Sequence, residues 1–166
     1  MRSVAALTND RPMQEPNEAP ARIRELGEFI ASAVESMTPA AFHARSGPDA
    51  WSAAEVAGHA SEFPVTFATQ ALALSNSPGM KLGRQLDDPG RLAAVARLGD
   101  ATPAQAAEMV REATRQSAAL VEQITPVGWD VAGTRLVNGE PFTVRQVIEM
   151  LIVDHLAGHL AQLGAT

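Results

Sequence analysis

The sequence predicts an all-α protein, a four-helix bundle with long crossover connections. Apolar residues recur at helical spacing in four long stretches, and three of these open on a capping box: Ser52 with Glu55, Thr102 with Gln105, and Thr143 with Gln146. Two Gly- and Pro-punctuated connections, residues 75–101 and 125–142, separate the later helices, as a bundle with long crossings requires.

Residues 1–19 are rich in Asn, Asp, Pro and Glu without periodicity and read as a flexible N-terminal arm, which leaves residues 20–166 as a single domain. From Pro20, the spacing of Ile23, Leu26, Ile30, Val34 and Met37 predicts a first helix ending before Thr38-Pro39, with a short helical turn following through Phe42. The second helix starts at WSAAEV, where Ser52 caps and Trp51 can staple onto Val56, and runs to about Leu74 with a bend near Pro64.

Within the first long connection, DDPGRLAAVARL predicts a short helix with Asp88 as cap and Pro89 in the first helical position. The third long helix starts at Thr102, turns Val110, Ala113, Leu120 and Ile124 inward, and ends before Pro126. Asn138-Gly139 is a turn dipeptide that can close a small hairpin. The last helix runs from the Thr143 cap to about Leu163, with Phe142 able to staple onto Val147.

Composition narrows the function classes. The 166 residues carry a formal charge of −6, and the thirteen Lys and Arg are scattered, which argues against binding to a phosphate backbone. No stretch approaches the ~20 apolar residues of a membrane span, and the opening MRSVAALTND lacks an apolar leader segment, so a cytoplasmic location is expected. With no Cys and no Tyr, any metal must be held by His and carboxylate.

Two of the four histidines, His155 and His159, lie in DHLAGHLAQL near the end of the chain. On a wheel of ~100° per residue they fall ~40° apart, near the middle of the stripe made by Val144, Val147, Ile148, Leu151 and Ile152. A buried imidazole needs partners for both ring nitrogens, and side chains at i and i+4 can converge on one cation. Alone, His-x-x-x-His is a weak motif that core histidines bonded to carbonyls and water would also produce. Leu156 stands where a zincin helix carries its glutamate, so the pair is not that motif.

His59 lies two turns into the second helix, at the flank of the stripe of Val56, Ala60, Phe63 and Phe67, from where it can meet the helix-four pair in the bundle interior. Glu55 and Glu62 share that flank. Their simplest roles are the capping box for Glu55 and solvated surface for Glu62, and either could instead hold a metal-bound water or orient His59. Gln162 lies along the His155 and His159 side; Asp154 and His43 read as solvent-facing.

WSAAEVAGHASEF at 51–63 and TVRQVIEMLIVDHLAGHLAQL at 143–163 resemble the DinB-like superfamily of metal-binding four-helix bundles, unrelated to the DNA polymerase of that name. The shared features are the Trp-Ser start, a histidine eight residues after that Trp, and a terminal His-x-x-x-His-x-x-Gln-Leu helix. The resemblance implies a DinB-like bundle over residues 20–166 with His59, His155 and His159 as the ligands of a divalent metal ion, zinc or nickel ahead of iron or manganese. It implies a metal-dependent enzyme acting on a small-molecule substrate: a thiol S-transferase using a low-molecular-weight thiol, or a hydrolase. The alternative is a non-catalytic metal-binding stress-response protein. A homodimer is also implied, with no nucleic acid or membrane partner. Lys81, Arg84 and Arg97 in or near the first connection could meet an anionic thiol, though solvated surface charge is their simpler role.

Overall fold

The computed structural model describes residues 16–164 apart from Asp49, Leu86 and Gly99, so residues 1–15 of the expected arm lie outside the described residues. A 3-10 turn at Pro16–Glu18 leads into α1, Ala19–Glu35, and the short α2, Pro39–His43, follows. The expected second helix is two helices, α3 at Ala53–Ala60 and α4 at Phe63–Asn76. Pro64 causes the break: it has no N–H to donate to the Ala60 carbonyl, and its ring crowds that oxygen. The amide of Glu62 instead bonds the His59 carbonyl at 3.1 Å, and α4 restarts with Pro64 in its first turn.

The first connection contains α5, Pro89–Ala96, and Asp88 caps it by accepting from the Arg91 amide. Then come α6, Pro103–Val121, and α7, Val144–Ile148. A π-turn at Glu149–Val153 joins α7 to α8, Asp154–Gly164. All three expected capping boxes are present.

Four helical layers result: α1, α3 with α4, α6, and the α7–α8 helix. Their inward faces form one core in which Ile23, Leu26, Ile30, Val34, Val56, Val110, Ile148, Ile152 and Leu156 are almost wholly excluded from solvent. Leu120, expected inside, is only partly buried. Among the described residues no helix is long and apolar enough to cross a membrane.

The two long connections are not independent loops. β1, Lys81–Leu82, pairs in parallel with β2, Ala132–Arg135, and β2 pairs antiparallel with β3, Pro141–Thr143. Asn138-Gly139 closes the hairpin, with Gly139 at φ +72°. At Gly133 a Cβ would lie 2.3 Å from the Met80 carbonyl oxygen, so the glycine is what lets the first connection dock on the hairpin. This small sheet is the one architectural addition to the predicted all-α bundle.

The π-turn corrects the wheel. In an unbroken α-helix Leu156, Leu160 and Leu163 would face roughly a third of a turn away from Val144, Val147 and Ile148. A π-turn absorbs about one extra residue, and so both apolar sets reach the same core. His155 and His159 are thereby turned out of the middle of the stripe, where the wheel placed them, to its half-buried edge.

Gly27 sets the spacing of α1 and α6. A Cβ there would lie 2.1 Å from the Thr114 hydroxyl oxygen, and Thr114 is buried with its hydroxyl donating to the Val110 carbonyl. In an open helix Gly→Ala stabilises by about 1 kcal/mol, but overpacking a buried contact costs about 1–3 kcal/mol. Gly27→Ala should therefore lower the thermal unfolding midpoint by several degrees, with partial recovery on adding Thr114→Ala. A midpoint equal to or above wild type would show that α1 and α6 can separate freely.

Candidate metal centre

The Ser52–Glu55 capping box fixes the start of α3: the Ser52 amide donates to Glu55 Oε2 at 2.9 Å, and the Glu55 amide to Ser52 Oγ at 3.2 Å. That start, with the chain break after Ala60, places His59 on the last turn of a short helix, buried and facing α8. From α8, His155 and His159 project one turn apart toward it.

The three Nε2 atoms meet. His155 Nε2 lies 2.9 Å from His59 Nε2 and 3.0 Å from His159 Nε2. Nitrogens around a tetrahedral ion at ~2.05 Å stand roughly 3.3 Å apart, so a small outward adjustment would admit a divalent cation. Among the described residues these histidines form the single cluster of three or more potential ligands. His159 Nδ1 lies 3.1 Å from Gln162 Oε1, an acceptor, so Nδ1 carries the proton and the Nε2 lone pair faces its neighbours. The Nδ1 of His59 is buried without a hydrogen-bond partner, and nothing on that side competes with Nε2 for the site.

Aromatic rings wall the triad. Phe63 stacks on His155 with centroids 3.9 Å apart and planes 14° from parallel. Trp51 meets His59 edge-on at 5.2 Å and lies nearly parallel to His159 at 6.2 Å. These contacts hold the imidazole planes and keep water from much of their surface.

Burial makes the histidines weak bases. It is the largest cause lowering His59 from the ordinary 6.5 to about 3, followed by the charges of His155, His159, Arg84 and Arg91. His155 falls to about 4, again chiefly through burial, then through His159, Arg84 and Arg91. His159 is lowered by burial, against a smaller upward pull from Gln162. All three are neutral near pH 7, the protonation state that leaves lone pairs free for a metal.

The carboxylates take other work. Glu55 keeps its capping role and pairs with Arg45. Glu62 is not the solvated side chain expected: it is largely buried, pairs with Arg84 and accepts the Thr66 hydroxyl. Arg84, also expected at the surface, has a side chain only 10% exposed and lies 5.3 Å over the Phe63 ring. Lys81, Arg97, Asp154 and His43 are exposed as expected. Sequence reasoning treated Trp51 as a staple and Phe63 as core. The closeness of Phe63 to His59 in the sequence was the available signal, and their rings lie 4.8 Å apart across the helix break. Arg91, over Trp51 at 5.7 Å, had no such local signal.

The profile of the DinB superfamily matches residues 22–163. No curated protein matches the sequence. Among solved structures, the chain resembles Bacillus subtilis YfiT, described as a probable metal-dependent hydrolase with an unusual four-helix-bundle topology. The TM-score is 0.75 at 17% identity, covering 93% of this chain and 90% of that one. It also resembles a histidine-to-alanine mutant of the mycothiol-dependent maleylpyruvate isomerase, with a TM-score of 0.69 at 13% identity, covering 100% of this chain and 65% of that one. At these identities the two structures establish the shared fold, a YfiT-like four-helix bundle carrying a small sheet. With the family profile spanning nearly all of the bundle, the chain belongs to the DinB superfamily.

Proposed function

We propose that the protein is a metal-dependent enzyme with His59, His155 and His159 as the ligands of one divalent ion, zinc or nickel ahead of iron or manganese. The convergence of three neutral Nε2 atoms carries this reading. When bound, such an ion keeps its full charge and an open position, and so supplies an acidified water or a metal-activated thiolate as nucleophile. Gln162 fixes the His159 tautomer, and Phe63 and Trp51 hold the ring planes and exclude water.

Thiol transfer stands ahead of hydrolysis. The chain has no cysteine, so the thiol would come from a low-molecular-weight cosubstrate. The mycothiol dependence of one structural relative supports this order. A purely structural metal site, as in a metal-binding stress-response protein, would call for a closed coordination sphere. Glu55 and Glu62, the acidic candidates to close it, do not join the histidine cluster.

Protein purified without a histidine tag should contain about one divalent ion per chain by mass spectrometry, and His59→Ala, His155→Ala and His159→Ala should each lose it. A wild type that neither carries metal nor takes up zinc or nickel on titration would end the enzyme reading. Gln162→Ala should weaken metal affinity about 10–100-fold with little change in melting temperature, because it frees the His159 tautomer; unchanged affinity would remove Gln162 from the site.

The metal-free protein should also lose stability in acid. Where His59 and His155 bind protons more weakly folded than unfolded, the unfolded chain takes up more protons as pH falls. Their contribution is therefore complete above about pH 6.5 and is lost progressively as pH falls toward 4 and 3. Thermal midpoints of the metal-free protein should drop over that window, less steeply in His59→Leu. Equal slopes in the two proteins would mean that the imidazole is not buried neutral.

A further inference from the structure

Phe63 touches two of the three clustered histidines. Its ring stacks on His155, with centroids 3.9 Å apart, and meets His59 edge-on at 4.8 Å. Whatever sets the position of Phe63 therefore bears on two imidazole planes at once.

Phe63 is the first residue of α4, and that helix starts without a side-chain cap. Glu62, in the cap position, turns its carboxylate to Arg84 and to the Thr66 hydroxyl instead. Arg84 comes from the first connection, where both of the residues before it are tied down. The Gly83 amide donates to Gln70 Oε1 at 2.7 Å, and the Leu82 carbonyl accepts from the Leu136 amide at 2.7 Å. From that anchored backbone the guanidinium pairs with Glu62 and lies 5.3 Å over the Phe63 ring. The connection thus clasps the start of α4 through Glu62, Phe63 and Gln70.

The ion pair is a poor source of stability. The Arg84 side chain is 10% exposed and that of Glu62 19%, and one atom of each, Arg84 Nη2 and Glu62 Oε2, is buried without a hydrogen-bond partner. Desolvation of two charges, each left partly unbonded, offsets much of their attraction. The pair is better explained by the geometry it enforces, which is that of the Phe63 ring.

We propose that Arg84 is a positioning residue of the triad. Paired with Glu62, it fixes the start of α4 and the Phe63 ring, and through that ring it holds His155 with its Nε2 toward His59 and His159. The proposal rests on the metal-dependent reading for its consequence, a site already shaped when the ion arrives, but the positioning itself needs no metal.

The test uses the full chain. Arg84→Met alone would leave Glu62 charged and buried, so the informative variant is Arg84→Met/Glu62→Gln, which removes both charges together. In the metal-free protein the ring current of Phe63 shields the His155 ring protons, and Phe63→Leu gives their unshielded NMR positions. The double variant should move these resonances most of the way to the Phe63→Leu positions, whereas Arg84→Lys, which keeps the pair, should leave them near wild type. Zinc affinity, measured by competition with a chelator, should fall about tenfold in the double variant, the lower end of the loss expected for groups that orient ligands, and should largely recover in Arg84→Lys. His155 protons or a zinc affinity that stay at wild-type values in the double variant, whatever its melting temperature, would show a merely structural pair and overturn the proposal. If wild type takes up no zinc, the metal reading fails by itself, and the His155 resonances alone decide the positioning.

Discussion

Three uncharged imidazoles whose Nε2 atoms stand about a hydrogen bond apart impose the constraint around which this end of the bundle is arranged. Burial keeps them neutral, and neutrality leaves each ring one nitrogen lone pair to offer. Two lone pairs facing each other repel unless something positive lies between them. The surrounding structure accepts that cost: Phe63 and Trp51 confine the rings, and Gln162 holds one proton on the outer nitrogen of His159.

Two irregularities in otherwise regular helices make the convergence possible. Pro64 stops α3 one residue after His59, so this histidine sits on a short, capped helix whose start is fixed by Ser52 and Glu55. The π-turn at Glu149–Val153 then lets α7 and α8 share one core while turning His155 and His159 to its edge. A regular α-helix would have turned those histidines deeper into the core. Helix irregularity beside a functional site is a common use of the π-turn.

The first long connection contributes two guanidiniums. Arg84 is held against Phe63 by its pair with Glu62, and Arg91 lies over Trp51, so a guanidinium attends each of the two aromatic walls. The pairing of β1 with β2 anchors the segment that leads to both. The sheet thus does for the connection what the apolar stripes do for the helices.

Sequence alone determined the starts and caps of the helices that open after Ser52, Thr102 and Thr143 and the turn at Asn138-Gly139, because each follows from contacts within a few residues, while the three histidines were singled out by spacing and by the resemblance of the segments that carry them. Helical spacing placed Phe63 in the core stripe that His59 flanks. It could not show the parallel pairing of Lys81–Leu82 with a strand in the other connection, since two residues carry no period to read. Nor could it assign Arg84 to Glu62 or Arg91 to Trp51, whose partners are set by how separate helices and connections pack. The placement of His155 and His159 failed for a related reason: a wheel assumes an unbroken 3.6-residue turn, and the extra residue in the π-turn is accommodated only because the core demands that both halves of the helix face it. Local propensity chose the elements. Long-range packing decided their rotation and their charged neighbours, because those depend on contacts between segments that no local pattern encodes.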